Sequence, residues 1–276
     1  WMGVWREFVE RYPVSYGLRS HTAGNRGPIF LKACILAAYV AAILASLFWK
    51  PLRERPERNV LLLLTGLFFL LHGVLEGQKL SLYLIHIIPL YTALLAMVVG
   101  SGIMGERLAG GNVAVALLAN ALATGAGLVA LILTFGPISG SHLNPWVTAT
   151  VAFLERRPTK DVIGYVVAQT LGAVVGVGIA HFAFDLPLVQ TSLHVRSSTS
   201  RIASEALATF GLLMVILNVS KSRQEAVPYA VGAYITAAYW FTSSTSFANP
   251  AVTWARAFTD TFAGIAPASV PGFLLG

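Results

Sequence analysis

Two Asn-Pro pairs are the residues of this chain whose types and spacing could do chemistry. One lies in the stretch SGSHLNPWVT, residues 139–148, and the other in SFANPAVTWAR, residues 246–256. Asn is a strong helix N-cap because its side-chain oxygen accepts hydrogen bonds from the first free backbone N–H groups. Pro suits the first helical position, where no N–H is needed. Each pair therefore predicts the start of a short helix.

Both pairs lie between long apolar runs, which must position them. Asn144 and Asn249 are about 105 residues apart, and this separation predicts a duplicated unit in which each half carries an interrupted membrane segment. Such an interruption is tolerated in the hydrocarbon only where it is buried in protein or lines a cavity. Two half-helices with their N-termini at the bilayer centre would direct two positive dipole ends at one point, which repels protons and other cations. The amide groups of the two Asn residues would then donate hydrogen bonds to the oxygen of a passing neutral molecule.

The composition is that of an integral membrane protein. Of the 276 residues, 56% are hydrophobic and 11% are charged, whereas soluble domains carry about 25% charged residues. The net charge of +7 is best explained by basic loops beside anionic lipid, because the basic residues lie between the apolar runs. Cys34, the single cysteine, excludes an internal disulfide.

Apolar runs of roughly 20 residues are the expected spanning helices. The expected half-helices cover about 144–154 and 249–258, and a shorter apolar run covers 59–75. The spanning runs are 30–49, 82–104, 112–135 (which ends in Gly136-Pro137), 161–183, 201–219 and 227–243, and a last apolar segment begins at 268. Small residues within these runs predict close helix packing: Gly125, Gly127, Gly172, Gly176, Gly178, Gly211 and Gly232.

The two motifs, SGSHLNPWVT and NPAVT, resemble those of the aquaporin (major intrinsic protein) family, from about Thr92 to the end of the chain. The resemblance implies an all-α integral membrane fold, an aquaporin-like right-handed helical bundle with two re-entrant half-helices. It also implies a passive, multi-pass channel of the inner (plasma) membrane, assembled as a homotetramer and working without a cofactor. The pore motifs would be Asn144, Pro145 and Trp146 in the first half and Asn249, Pro250 and Ala251 in the second.

Two positions depart from the family pattern. Trp146 stands where the motif has a small residue, so the tips of the half-helices are expected to be overpacked, at a cost of roughly 1–3 kcal/mol, and the pore to be widened or plugged. Val252 stands where water-selective members carry a filter Arg. By spacing, Thr124 and Ala237 replace an aromatic residue and a His, and Ser246 completes a filter of small uncharged groups. A wide constriction favours glycerol, urea or metalloid hydroxides such as arsenite, besides water.

Two ionisable residues lie near these motifs. Arg256 follows Asn249 by two helical turns on the same face. It could substitute for the filter charge, but pairing with a carboxylate or with the membrane interface is the favoured interpretation. Glu205 begins the run EALAT and resembles the family's fourth-helix Glu, which supports the backbone of the interrupted loop. The matching position in the first half is Ile88, so that anchor is missing.

Three further residues match the family pattern. His142 corresponds to the family's loop His, and we expect it to shape the loop rather than to take part in chemistry. Tyr165 and Gln169 match the pattern of the third helix and are expected to serve in packing.

The front of the chain does not resemble the family. We expect residues 1–91 to be a separate segment with one or two extra membrane helices, and residues 92–276 to be the channel domain, cut short in its last helix. The piece GQKLSLYLIHIIPLYTALLA is similar to a membrane segment of dolichyl-phosphate-mannose-type glycosyltransferases. Counted back from the channel helices, the basic loop KPLRERPER would lie outside the cell, against the positive-inside rule. Three explanations stay open: a run 59–75 that dips into the membrane without crossing it, a gene fusion or misjoined reading frame, or a third run that does not cross as the family's first helix does.

Two other function classes stay open. A membrane glycosyltransferase fragment would need acidic catalytic residues on a loop outside the membrane, and the chain offers no convincing pair. A secondary transporter built on inverted repeats would need a charged coupling site within the spans, for which only Glu205 is a candidate. The sequence shows no catalytic set, no metal-ligand spacing and no phosphate-binding glycine loop. We therefore expect no enzyme activity, no metal and no nucleic-acid partner.

Overall fold

The computed structural model describes residues 86–274, and every regular element in this range is a helix. The expected all-α architecture is therefore confirmed. The expected extra membrane helices of the front segment fall on residues 1–85, outside the described residues. The α-helices of the described range are α1 (Ile88–Leu108), α2 (Val113–Ser139), α3 (Pro145–Leu154), α4 (Thr159–Ala183), α5 (Thr199–Ser222), α6 (Val227–Phe241), α7 (Pro250–Arg256) and α8 (Val270–Leu274). The 3-10 turns Gln224–Ala226 and Pro267–Ser269 precede α6 and α8.

Helices α1, α2, α4 and α5 are each long and apolar enough to cross a membrane. Helix α6 has 15 residues and rises about 22 Å. Helices α3 and α7 have 10 and 7 residues, so they rise only about 15 and 10 Å and cannot cross the hydrocarbon layer of about 30 Å. The chain is thus a multi-pass membrane protein whose series of helices is interrupted by two short ones, close to the predicted positions.

The end of α2 lies later than predicted. The helix continues through Gly136 and Pro137 to Ser139 instead of stopping before them. In the last turn a Pro removes only one intrahelical hydrogen bond, so the helix absorbs it. Gly140 then ends the helix with a left-handed φ of 79°, and its N–H donates to the Gly136 carbonyl, as a helix C-terminus favours.

The order of elements repeats along the chain. The series α1, α2, half-helix α3 and α4 is followed by α5, α6, half-helix α7 and the beginning of α8. The duplicated unit predicted from the two Asn-Pro pairs is therefore visible in the element order. Each half-helix follows two other helices and an irregular loop, so the two loops and the two half-helices occupy corresponding places in the two halves.

Glycines allow the helices to approach closely at two crossings. A Cβ atom at Gly176 would lie 2.4 Å from the Thr92 carbonyl oxygen, so α4 and α1 meet backbone to backbone. A Cβ atom at Gly125 would lie 2.9 Å from the Gly232 carbonyl oxygen, where α2 meets α6. Small residues serve in this way in membrane bundles. Gly178 was also expected to serve in packing, but that prediction is wrong, because a Cβ atom there would meet nothing within 4 Å.

A candidate pore site where two half-helices meet

Each half-helix is capped by the Asn of its motif. Asn144 has an extended backbone, and its Oδ1 accepts from the Trp146 N–H at 2.9 Å. Asn249 is also extended, and its Oδ1 accepts from the N–H groups of Ala251 and Val252 at 3.2 and 3.3 Å. Pro145 and Pro250 hold the first helical positions. The local sequence thus starts both helices by the same means.

The two Asn side chains also join the halves to each other. Asn144 Nδ2 donates to the Ala248 carbonyl, and Asn249 Nδ2 donates to the Leu143 carbonyl, at 2.5 Å in each case. Each acceptor is the residue that precedes the opposite Asn, so the two hydrogen bonds are reciprocal. Both Asn residues are buried. An Asn amide carries two N–H hydrogens, so this contact leaves a second one on each side chain at the point where the halves meet.

The loops that lead into the half-helices have unusual backbones. Ser141 in the first loop has a φ of 43°, and Thr245, Ser246 and Ala248 in the second have φ values of 63°, 47° and 46°. A left-handed conformation costs a non-glycine residue roughly 1–2 kcal/mol. Such conformations persist only where the surroundings hold them, and they are common at functional sites. The contacts that hold the loops are therefore part of the site.

Three side chains hold the first loop through the backbone of His142. The Tyr165 hydroxyl accepts from the His142 N–H and donates to the Ser139 carbonyl, both at 3.1 Å. Gln169 Nε2 donates to the His142 carbonyl and, at 3.0 Å, to Thr148 Oγ1. The Tyr91 hydroxyl donates to the same carbonyl at 3.3 Å.

The expectation that Tyr165 and Gln169 serve only in packing is therefore wrong. With Tyr91 they hold the loop in a half where Ile88 stands at the position expected for a Glu anchor. The His142 ring stacks on the Tyr165 ring with centroids 5.3 Å apart, so the contacts of His142 lie within the loop and its supports.

One carboxylate holds the second loop. Glu205 on α5 is fully buried. It accepts from the Phe247 N–H at 3.0 Å and from the Ala248 N–H at 2.7 Å. Ala248 in turn offers its carbonyl to Asn144. Glu205 thus holds the Ala248 backbone, which in turn binds the Asn144 cap of the opposite half-helix α3.

Arg196 clamps the same loop from the connector between α4 and α5. Its Nη1 donates to the Ser244 carbonyl and to Thr245 Oγ1 in this loop, both at 3.5 Å. Its Nε donates to the Gly264 carbonyl, after α7, at 3.0 Å. Its Cζ lies 5.2 Å from the centroid of the Phe247 ring. Burial and the nearby charge of Arg201 lower the pKa of Arg196, and the negative charge of Glu205 opposes them.

The sequence also matches a known protein family. The sequence model of the Major intrinsic protein family matches residues 87–263, more than half of the chain. The chain belongs to the major intrinsic protein family. The match covers both half-helices, both loops and α1 to α6.

Curated members of the family are similar to this chain. Aquaglyceroporin AqpS of Rhizobium meliloti is 51% identical over 182 residues, which is 66% of this chain and 78% of that protein. Glycerol uptake facilitator protein-like 6 of Lactiplantibacillus plantarum is 39% identical over 38% of this chain and 52% of that protein. The glycerol uptake facilitator protein of Bacillus subtilis is 30% identical over 36% of this chain and 40% of that protein. The chain thus spans about half the length, or less, of these two glycerol facilitators.

Three of the four expected filter residues are buried. Thr124 is buried on α2, and Ser246 and Val252 are buried in and just after the second loop. The α6 residue that meets Thr124 is Tyr239, whose hydroxyl lies 3.3 Å from Thr124 Oγ1. Ala237 is exposed. Residues two positions apart on a helix differ in direction by about 200°, so Ala237 and Tyr239 lie on opposite sides of α6. The filter assignment of Thr124, Ala237, Ser246 and Val252 stays a prediction.

Trp146 does not fill the space between the half-helix tips. Its side chain is 38% exposed, whereas Ala251 at the same place in the second motif is 1% exposed. Positions 146, 150 and 153 share one face of α3, and Phe153 on that face is 83% exposed. The expected overpacking of the tips is therefore wrong, because the Trp lies on the outer face of α3.

Arg256 is neither paired with a carboxylate nor exposed. It is 2% exposed at the end of α7. Its Nε donates to the Ala263 carbonyl, and its Cζ lies 3.4 Å from the centroid of the Phe247 ring. Within residues 86–274 no carboxylate oxygen lies within 4.0 Å of its nitrogens. The favoured interpretation of Arg256 is therefore wrong.

Proposed function

We propose that this chain forms a passive transmembrane channel for water and small neutral solutes of the glycerol type. The observation that carries the proposal is the reciprocal pair of hydrogen bonds between Asn144 and Asn249 and the opposite loops. It joins two half-helix N-termini inside a bundle of membrane-length helices, where polar groups are costly unless they serve a water-filled path. The second N–H of each amide can then donate to a solute oxygen in transit.

The relatives support this substrate class. AqpS is named an aquaglyceroporin, and the two other bacterial relatives are named for glycerol uptake. The expected filter groups Thr124, Ser246 and Val252 are uncharged, which favours neutral molecules with hydroxyl or amide groups. Urea and metalloid hydroxides such as arsenite belong to the same chemical class, and we propose them as further solutes.

We further propose that the positive ends of α3 and α7 exclude protons, and that the chain acts as a homotetramer in the inner (plasma) membrane. The channel domain at residues 92–276 stays a prediction.

The contacts of Glu205 argue against the secondary transporter. A coupling site needs a carboxylate that is free to bind and release an ion, yet both oxygens of Glu205 accept from the loop backbone. Its protonation would release the loop rather than power transport. A glycosyltransferase fragment finds no support from the acidic residues of the described range, whose buried member is Glu205.

Stopped-flow light scattering on proteoliposomes tests the proposal. The full chain is expected to accelerate shrinkage in an osmotic gradient and re-swelling as glycerol or urea enters. Asn249→Leu removes the cap, the cross-link and the donor, so it should abolish the acceleration. Asn218→Leu is the matched control, because Asn218 is exposed on α5 and bonds only to its own helix. Wild-type traces equal to those of empty liposomes for every solute would refute the channel.

A further inference from the structure

The guanidinium of Arg256 is a buried group with unused donors. An Arg carries five N–H donors, and Nε–H is bonded to the Ala263 carbonyl. No residue of the described range accepts a hydrogen bond from the two Nη atoms, which leaves four N–H donors. The side chain is nevertheless 98% buried, since its exposure is 2%. Unused donors on a buried cation are costly unless a solvent or solute oxygen reaches them.

The contacts of Arg256 place its guanidinium beside the second loop. Arg256 follows Val252 by four residues, so the two share one face of the helix. Side chains on a helix lean toward its N-terminus and cover the preceding turn. Its guanidinium lies against Phe247, which follows Ser246 and precedes Asn249 by two residues.

Two contacts hold the guanidinium in that position. The Phe247 ring stacks against it at 3.4 Å, and the Phe247 backbone is itself held by Glu205. Arg196 Cζ lies 5.2 Å from the centroid of the same ring, so two guanidinium groups contact one aromatic side chain. The buried carboxylate of Glu205 is in electrostatic range of both arginines. The cluster of Arg196, Arg256 and Glu205 therefore has a formal charge of +1.

Other polar groups lie around the same point. Tyr239 is in electrostatic range of both arginines, and its hydroxyl meets Thr124 Oγ1. Ser246 Oγ, one residue before Phe247, is buried and has no hydrogen-bond partner in the described range. Hydroxyl groups can donate and accept, whereas the Nη groups only donate. Together they suit a solute that presents several hydroxyl or amide oxygens.

We propose that Arg256 supplies the positive charge and the hydrogen-bond donors of the filter, in place of Val252. This inference rests on the proposed channel function and specifies its selectivity. The Nη groups bind the oxygens of a neutral solute, and the fixed charge repels cations. A full charge acts more strongly than the half-charge at the end of a helix dipole, so cation exclusion depends on Arg256 more than on the half-helices.

The test compares Arg256→Leu, Arg256→Met and Arg256→Lys in the full chain, reconstituted in proteoliposomes and planar bilayers. Arg256→Met keeps an unbranched side chain, in case the branched Leu prevents folding, and gel filtration checks each protein. Arg223→Leu is the matched control, because Arg223 is exposed just after the end of α5. The readouts are glycerol and urea permeability and potassium conductance.

The apolar variants are expected to raise potassium conductance by roughly tenfold or more, since a nearby charge no longer opposes the ion. Arg256→Lys should still exclude potassium but conduct glycerol and urea more slowly than the wild type, because the planar fork of donors is gone. Arg223→Leu should match the wild type.

A folded Arg256→Met that conducts glycerol and excludes potassium as the wild type does would overturn the inference and leave the channel intact. Equal potassium leaks through Arg256→Lys and Arg256→Met would overturn it as well. A wild type without glycerol permeability would instead refute the channel function itself.

Discussion

Replacing Glu205 with Gln is expected to release the second loop and to close the path for solutes. The carboxylate accepts two backbone N–H groups, from Phe247 and Ala248. Gln keeps one acceptor, and its NH2 group would face the other N–H, donor against donor. The lost charged hydrogen bond and the stranded N–H together cost about 2–4 kcal/mol.

This loss is comparable with the strain that the loop contains. Thr245, Ser246 and Ala248 all have left-handed backbones, at roughly 1–2 kcal/mol each. With Glu205 weakened, we expect the loop to relax into ordinary backbone conformations before the helices separate. Asn144 would then lose its acceptor at Ala248, so permeability should fall more than stability does.

The assay is glycerol permeability in proteoliposomes together with thermal unfolding in detergent. Glu205→Gln should lose most of the glycerol flux and unfold at a lower temperature, while Glu205→Leu should lose more in both measurements. Glu106→Gln is the control, because Glu106 is exposed on α1. Glu205→Gln with wild-type flux and wild-type unfolding would show that the carboxylate does not hold the loop.

Three other substitutions test a helix crossing, the filter and the cap of α3. Gly176→Ala places a Cβ at 2.4 Å from the Thr92 carbonyl, so α1 and α4 must separate at about 1–3 kcal/mol, whereas Gly178→Ala has open space and should be neutral in thermal unfolding. Equal effects of the two would refute the close crossing. Val252→Arg should reduce glycerol flux far more than water flux in stopped-flow traces, since it narrows the constriction, and an equal loss of both would count against that position as a filter. Asn144→Ala should lower stability by about 1–2 kcal/mol through its lost cap and lower flux as well, and unchanged flux would mean that the cross-link to Ala248 is dispensable.

The starts of the half-helices could be predicted from the sequence because their causes are local. An Asn cap and a Pro at the first helical position act within one turn, so Asn144 and Asn249 identified both half-helices and their repeat. The apolar runs likewise identified α1, α2, α4, α5 and α6. The end of α2 was placed too early, because a Pro is tolerated in a final turn that Gly140 can close.

The contacts of the site could not be predicted in the same way because they join distant segments. Gln169 and Tyr165 looked like packing residues, yet they hold the His142 backbone from another helix. The spacing assigns Ala237 to the filter, which stays a prediction, but it does not reveal the contact of Tyr239 with Thr124. A shift of two residues on a helix turns the side chain to the opposite face, and no local pattern reveals that rotation.

The charged residues show the same limit. Burial of a cation depends on what packs around it, and the partners of Arg256 are an aromatic ring and a carbonyl, not a carboxylate. No sequence pattern predicts the contacts of Arg196, since it lies in a polar connector where exposed loop residues are the usual expectation. One local signal was available. Phe247 lies two residues before Asn249, in the motif itself, and an aromatic ring that contacts an arginine is a common cation–π arrangement.

The most direct measurement is the rate of glycerol entry into proteoliposomes that contain the full chain, followed by stopped-flow light scattering beside Asn249→Leu and empty liposomes. If the two capped half-helices form a pore, the wild type should re-swell rapidly, and Asn249→Leu should re-swell at the rate of empty liposomes. A folded wild type that re-swells no faster than empty liposomes would contradict the claim that the two capped half-helices form a pore, and so would an Asn249→Leu variant that conducts glycerol as the wild type does.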